Sequence, residues 1–132
     1  MVDLEEDGIL EKNEWGCRYL ALCPTMKVPQ KVVWDREVVY ECVWALLAVV
    51  DKHNLKVREK RGDDRGEKEI TSFLMTPLAT GYGDWSPERW AAQTVLAIKH
   101  FVEAVENKDK WKVLGTFRAL THCEEVKRTY EL

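Results

Sequence analysis

Twice along this chain a short apolar run is followed by turn-forming residues and then by a long stretch of helical apolar spacing, and few folds satisfy that order. The first run, Tyr19-Leu20-Ala21-Leu22-Cys23, is closed by Pro24 and has the pattern of a central strand buried on both faces. After a loop from Pro24 to Trp34, Asp35 is a candidate cap for a helix reaching about His53, with Val38, Val39, Cys42, Val43, Leu46, Leu47 and Val50 on one face. Lys52 and His53 suit the negative end of its dipole, and Asn54 suits a left-handed stop. The second run, Ile70 to Thr76, is again read as a strand. Ser86-Pro87-Glu88 then supplies an N-cap, a first-turn proline and a first-turn acid for a helix ending near Asn107. Its apolar stripe is Ala91, Val95, Ile98, Val102 and Val105, flanked by Trp90 and Phe101. Strand, helix, strand, helix implies a largely parallel sheet with helices on its faces, because parallel strands need a long crossover.

The remaining segments fit one domain over residues 1–132. Residues 56–69 are almost all charged or glycine and are expected to form a solvated, mobile loop. The tail 108–132 is expected to be helical, from Trp111, Leu114, Phe117 and Leu120 and from a capping box offered by Thr121 and Glu124. With 20 basic and 23 acidic residues the formal charge is −3, which provides no broad positive field for a nucleic-acid backbone. The acidic start Met1 to Asp7 is unlike a signal peptide, and no apolar stretch approaches the roughly 20 residues that span a bilayer, so an intracellular, cytoplasmic or nuclear protein away from membranes is expected. Cys17, Cys23, Cys42 and Cys123 form no CxxC pair and are read as reduced, buried thiols.

Chemistry concentrates in Leu74 to Pro87, a strand, a glycine-containing loop and a helix start. Glycines let a ligand approach the backbone, and free N–H groups with the helix dipole near Ser86 favour a diphosphate. The same spacing also fits a tight turn whose glycines serve only the chain path. His122 and Cys123 are adjacent, which does not make a nucleophile and base pair, and His53, His100 and His122 with the cysteines lack zinc-ligand spacing. Neither a catalytic residue, a metal site nor a cofactor is therefore assigned. His100 is read as a helix-surface residue, and Trp44, Trp90 and Trp111 as core and rim packing.

Thr80-Gly81-Tyr82-Gly83, with Ser86-Pro87-Glu88-Arg89 and Ala91-Ala92-Gln93, resembles the second phosphate loop and following helix of macrodomain-like, ADP-ribose-binding proteins. Tyr19-Leu20-Ala21 with Pro24-Thr25-Met26-Lys27-Val28-Pro29 resembles the strand and loop before a helix in the phage-type and fungal branches of that family. The resemblance runs from about Tyr19 to Val105 and lacks the family's N-terminal third. It implies a truncated three-layer α/β/α macrodomain-like sandwich that binds ADP-ribose or a related nucleotide diphosphate. Leu78, Ala79, Thr80, Gly81, Tyr82, Gly83 and Asp84 would form the phosphate and ribose loop, with Pro24, Thr25 and Trp85 flanking it. The alternative is a shortened, non-catalytic relative acting as a structural or interaction protein, self-associating as a homo-oligomer to cover a bare sheet edge. An ADP-ribosyl hydrolase ranks last, because the residues used by hydrolytic members are missing.

Overall fold

A computed structural model describes residues 1–4, 16–60, 67–109 and 115–132. The described residues carry β1 (Val2–Asp3), β2 (Tyr19–Leu20), α1 (Val38–Glu59), α2 (Pro87–Glu106) and α3 (Thr116–Lys127). The strands pair antiparallel, Val2 opposite Leu20 and Asp3 opposite Tyr19, and Arg18 bonds Asp3 at 3.1 Å beside them. The expected three-layer α/β/α sandwich is therefore not formed: the described fold is helical, with a two-stranded ribbon in place of a multi-strand sheet.

The correction starts at the two apolar runs. Of Tyr19 to Cys23 only Tyr19–Leu20 is a strand, and Leu22 is 74% exposed. Ile70 to Thr76 carries no strand pairing, and Leu74 is 91% exposed. A run of apolar residues becomes a central strand only if other strands flank it, and neither segment finds them among the described residues.

The helices follow local chemistry more closely. Asp35 does not cap α1 directly; its carboxylate accepts the Glu37 N–H at 3.0 Å and sets the turn before the helix. The apolar face of α1 is inward as expected, with Val38, Val39 and Val43 buried and Cys42 and Leu47 packed beside them. The helix does not stop at Asn54 but continues to Glu59. Asn54 instead holds the returning chain, its amide donating to the Ile70 carbonyl at 2.9 Å and accepting the Ile70 N–H at 2.8 Å. His53 pairs with the Lys68 carbonyl at 3.0 Å, and Arg58 with Glu69 at 2.8 Å. The charged segment 56–69 is thus partly helix and partly tied to helix, and its residues 61–66 lie outside the described residues. In α2 the Ser86 hydroxyl accepts the Arg89 N–H at 3.0 Å, Pro87 opens the helix and Asn107 closes it, as the sequence signals. The tail forms α3, with Gly115 before it and Thr121 and Glu124 inside it rather than opening a second helix. Trp111 and Leu114 lie outside the described residues.

α1 packs along α2, and α3 packs on α2. The core is Val32, Val38, Val39, Val43, Ala79, Trp85 and Ala97, with Trp90, Met75 and Leu78 against it. The loop after Thr76 is thus part of the core. Of the cysteines, Cys17 and Cys123 are exposed and Cys23 and Cys42 half-buried, so the expected uniform burial of the thiols does not hold.

The buried face of α2 reverses expectation. Gln93, Ala97 and His100 are buried, while Val95, Ile98 and Val102 are 63%, 39% and 45% exposed. Polar side chains go inside here because each finds partners. The Gln93 carbonyl accepts the Tyr40 N–H at 3.1 Å, and its amide donates to the Arg36 carbonyl at 2.7 Å and to the Thr129 hydroxyl at 2.9 Å. A side chain of α2 thereby satisfies a free N–H in the first turn of α1. No described helix is long and apolar enough to cross a membrane.

Candidate functional site

The loop from Pro77 to Trp85 closes on itself. The Thr80 hydroxyl donates to the Pro77 carbonyl at 3.0 Å, the Asp84 N–H to the Gly81 carbonyl at 3.0 Å, and the Trp85 N–H to the Ala79 carbonyl at 3.2 Å. Ala79 and Asp84 hold positive φ, 63° and 61°. Val32 is clamped to this loop twice: its N–H donates to the Gly83 carbonyl at 3.0 Å, and its carbonyl accepts the Trp85 indole N–H at 3.1 Å. That clamp sets the segment before α1 beside the start of α2 and leaves a cleft between them.

The cleft has a volume of about 250 Å³ and is lined by Val32, Val33, Arg36, Gly83, Asp84, Trp85, Arg89, Tyr130 and Glu131. The Arg36 guanidinium lies over the Tyr130 ring at 5.5 Å, and that of Arg89 over the Trp85 ring at 5.0 Å. Among the described residues neither guanidinium has a carboxylate partner at ion-pair distance; Arg89 spends one N–H on the Thr129 carbonyl at 3.1 Å. An arginine stacked on a ring keeps its outer edge free for bidentate donation to an oxyanion. Asp84 is paired with Lys31 at 2.6 Å, which holds the lysine above its usual range and offsets the carboxylate. The Tyr130 hydroxyl donates to Glu37, and burial followed by that bond pushes it up to about 12, so the ring stays neutral beneath Arg36.

Three of the residues expected at the site, Gly83, Asp84 and Trp85, line the cleft. Ala79 and Leu78 face the core, Thr80 bonds back to Pro77, and Gly81 and Tyr82 point to solvent. Pro24 is exposed and Thr25 half-buried, both away from the cleft lining. Sequence reading missed Arg36, Arg89 and Tyr130. Arg89 stood inside the Ser86-Pro87-Glu88-Arg89 signal, but no local pattern joins Arg36 and Tyr130 to it.

A second polar cluster sits between α2 and α3. His100, expected on the surface, is fully buried. Its Nδ1 pairs with the Tyr40 hydroxyl at 3.0 Å and its Nε2 with Glu125 at 2.8 Å. The His122 ring stacks on it, centroids 3.9 Å apart and planes 8° from parallel. Lys99 also reaches Glu125, at 2.7 Å, and Glu103 takes both Arg118 at 2.5 Å and His122 at 3.5 Å. Bonds from Lys99 and then His100 hold the Glu125 carboxyl down at about 2, and burial pushes the Tyr40 hydroxyl up to about 12. His122 is lowered by burial first and by its His100 neighbour second. Trp44 packs edge-on to Phe101 at 5.4 Å beside this cluster, in keeping with a packing role.

Neither a family model, nor a curated protein, nor a solved structure matches this chain, and nothing in these comparisons identifies a macrodomain.

Proposed function

We propose that the chain is a small-ligand-binding module whose Arg36 and Arg89 cleft takes the diphosphate of a nucleotide such as ADP-ribose. One observation carries the reading: two guanidinium groups, each stacked on an aromatic ring and neither ion-paired among the described residues, line the same cleft as Gly83. In the lining itself Arg36 and Arg89 stand against Asp84 and Glu131, and Lys31 offsets Asp84. A volume of about 250 Å³ suits a charged head group, with the rest of the ligand on the rim where Trp34, next to Val33, is exposed. The loop contributes Gly83, Asp84 and Trp85, but the arginines supply the donors, since the Asp84 and Trp85 N–H groups are spent inside the loop.

Calorimetric titration with ADP-ribose, with adenosine as the phosphate-free control, tests this. ADP-ribose binds and adenosine does not, and Arg36→Ala and Arg89→Ala each lose about 1.5–3 kcal/mol of binding, the usual worth of a hydrogen bond to a charged group. Equal heats for the two ligands, or unchanged affinity in both arginine variants, would sink the reading.

A second reading, self-association, is favoured by the exposed stripe Val95, Ile98 and Val102 on α2. The spacing of these residues, three then four, is that of a helix-pairing seam. Sedimentation velocity over a wide concentration range separates the two: concentration-dependent growth abolished by Ile98→Lys supports pairing, and a single monomeric species removes it.

A further inference from the structure

We propose that the stacked imidazoles of His100 and His122 form a proton-operated latch that holds α3, and with it one wall of the cleft, against α2 near neutral pH and loosens it below. The inference rests on the cleft being the ligand site.

The mechanical link is short. Thr129, Tyr130 and Glu131 follow α3 directly, and Tyr130 and Glu131 line the cleft. The Thr129 carbonyl positions Arg89, and the Tyr130 ring supports Arg36. Whatever displaces α3 therefore disturbs both arginines at once.

Among the described side chains, the contacts that hold α3 to α2 are largely polar. Among its described side chains Val126 is the buried apolar one. From α1 the cluster is faced by the Tyr40 hydroxyl, from α2 by Lys99 and Glu103, and from α3 by Arg118 and Glu125. Among the described residues the cations Lys99 and Arg118 balance the carboxylates Glu103 and Glu125. Tyr40, at about 12, and Glu125, at about 2, keep their states across the physiological range, which leaves His122 to respond. A proton added to His122 sits on a ring stacked 3.9 Å from the parallel, fully buried His100 ring, a water-poor setting in which the added charge is poorly solvated.

The sign follows from His122, whose affinity for a proton is lowered below the ordinary 6.5 by burial and then by His100. Docked α3 keeps the ring neutral and released α3 lets it protonate, so docking is undisturbed above 6.5 and weakens as pH falls through it.

Two measurements test the latch in the full chain, at about pH 7.5 and about pH 5.5, either side of the ordinary histidine value. Hydrogen exchange, corrected for intrinsic rates, reads protection of residues 116–127 without any ligand. Titration calorimetry reads ADP-ribose affinity, a probe whose diphosphate diester does not itself titrate over this range. In the wild type protection falls severalfold on acidification, the direction that the lowered proton affinity of His122 dictates, and affinity falls as far as the docked fraction does. His122→Phe keeps an aromatic ring against His100 but cannot take a proton, and it holds both within about twofold. Protection that does not change with pH in the wild type overturns the latch, as does a fall in His122→Phe equal to that of the wild type. If ADP-ribose fails to bind at the higher pH, the cleft reading fails, and the exchange data still decide whether α3 releases.

Discussion

At Gly83 there is no room for a side chain: a Cβ would lie 2.4 Å from the Ala79 carbonyl oxygen and 3.0 Å from its carbon. Gly81, two residues earlier, has open space around the same position. Gly83→Ala is therefore expected to destabilise by about 1–3 kcal/mol, because the backbone of a packed loop must shift. Gly81→Ala should stay within about 0.5 kcal/mol of the wild type in a urea titration. Ala79 makes the opposite case, since φ of 63° is left-handed backbone that an L side chain adopts at a cost of about 1–2 kcal/mol. Glycine relieves that strain but loses about 0.5–1 kcal/mol to chain entropy and about 0.8 kcal/mol from the core methyl, so Ala79→Gly should stay within about 1 kcal/mol of the wild type in the same titration. Both glycines were legible as loop residues in the sequence. Which of them is sterically required was not, because the obstacle to Gly83 is a carbonyl whose position depends on the whole loop closing.

At the scale of elements, α2 shows how far a periodic pattern reaches. Its beginning and end were readable, because a serine cap, a first-turn proline and a closing asparagine act within one turn of the helix. Its buried face was not. Apolar spacing pointed to Val95, Ile98 and Val102, whereas Gln93, Ala97 and His100 lie inward. Gln93 is held by partners on α1 and after α3, 53 and 36 residues away. Gln93→Leu, similar in size, should cost about 2–4 kcal/mol in urea unfolding, since it strands the buried donor of Tyr40 and the Arg36 carbonyl. Val95→Lys at the exposed stripe should change stability by less than about 0.5 kcal/mol if the helix face stays in water. Together the two variants reveal which face of α2 bears on the fold.

For the molecule as a whole, Glu125 contributes to the acid limb of stability. Its carboxyl lies at about 2 in the folded chain against an ordinary 4.5, so its contribution is complete above 4.5 and is lost as pH falls from there towards 2. Glu125→Gln should flatten that part of a pH series of thermal midpoints, with the change near neutrality set separately by the imidazoles. The sequence by itself determined that α1 and α2 exist, where α2 begins and ends, the apolar face of α1 and the cap of α2, because these depend on neighbours within a few residues, whereas α1 runs past its expected stop at Asn54. It also singled out the segment holding Gly83, Asp84 and Trp85, a loop and helix start that are contiguous in the chain. Only the tertiary structure decided that the apolar runs at Tyr19 and Ile70 do not join a sheet, since a strand needs partners that no local pattern supplies. It alone brought Arg36, Arg89 and Tyr130 to one cleft and His100 beneath His122, because those meetings are set by hydrogen bonds and ring stacking between residues distant in the chain.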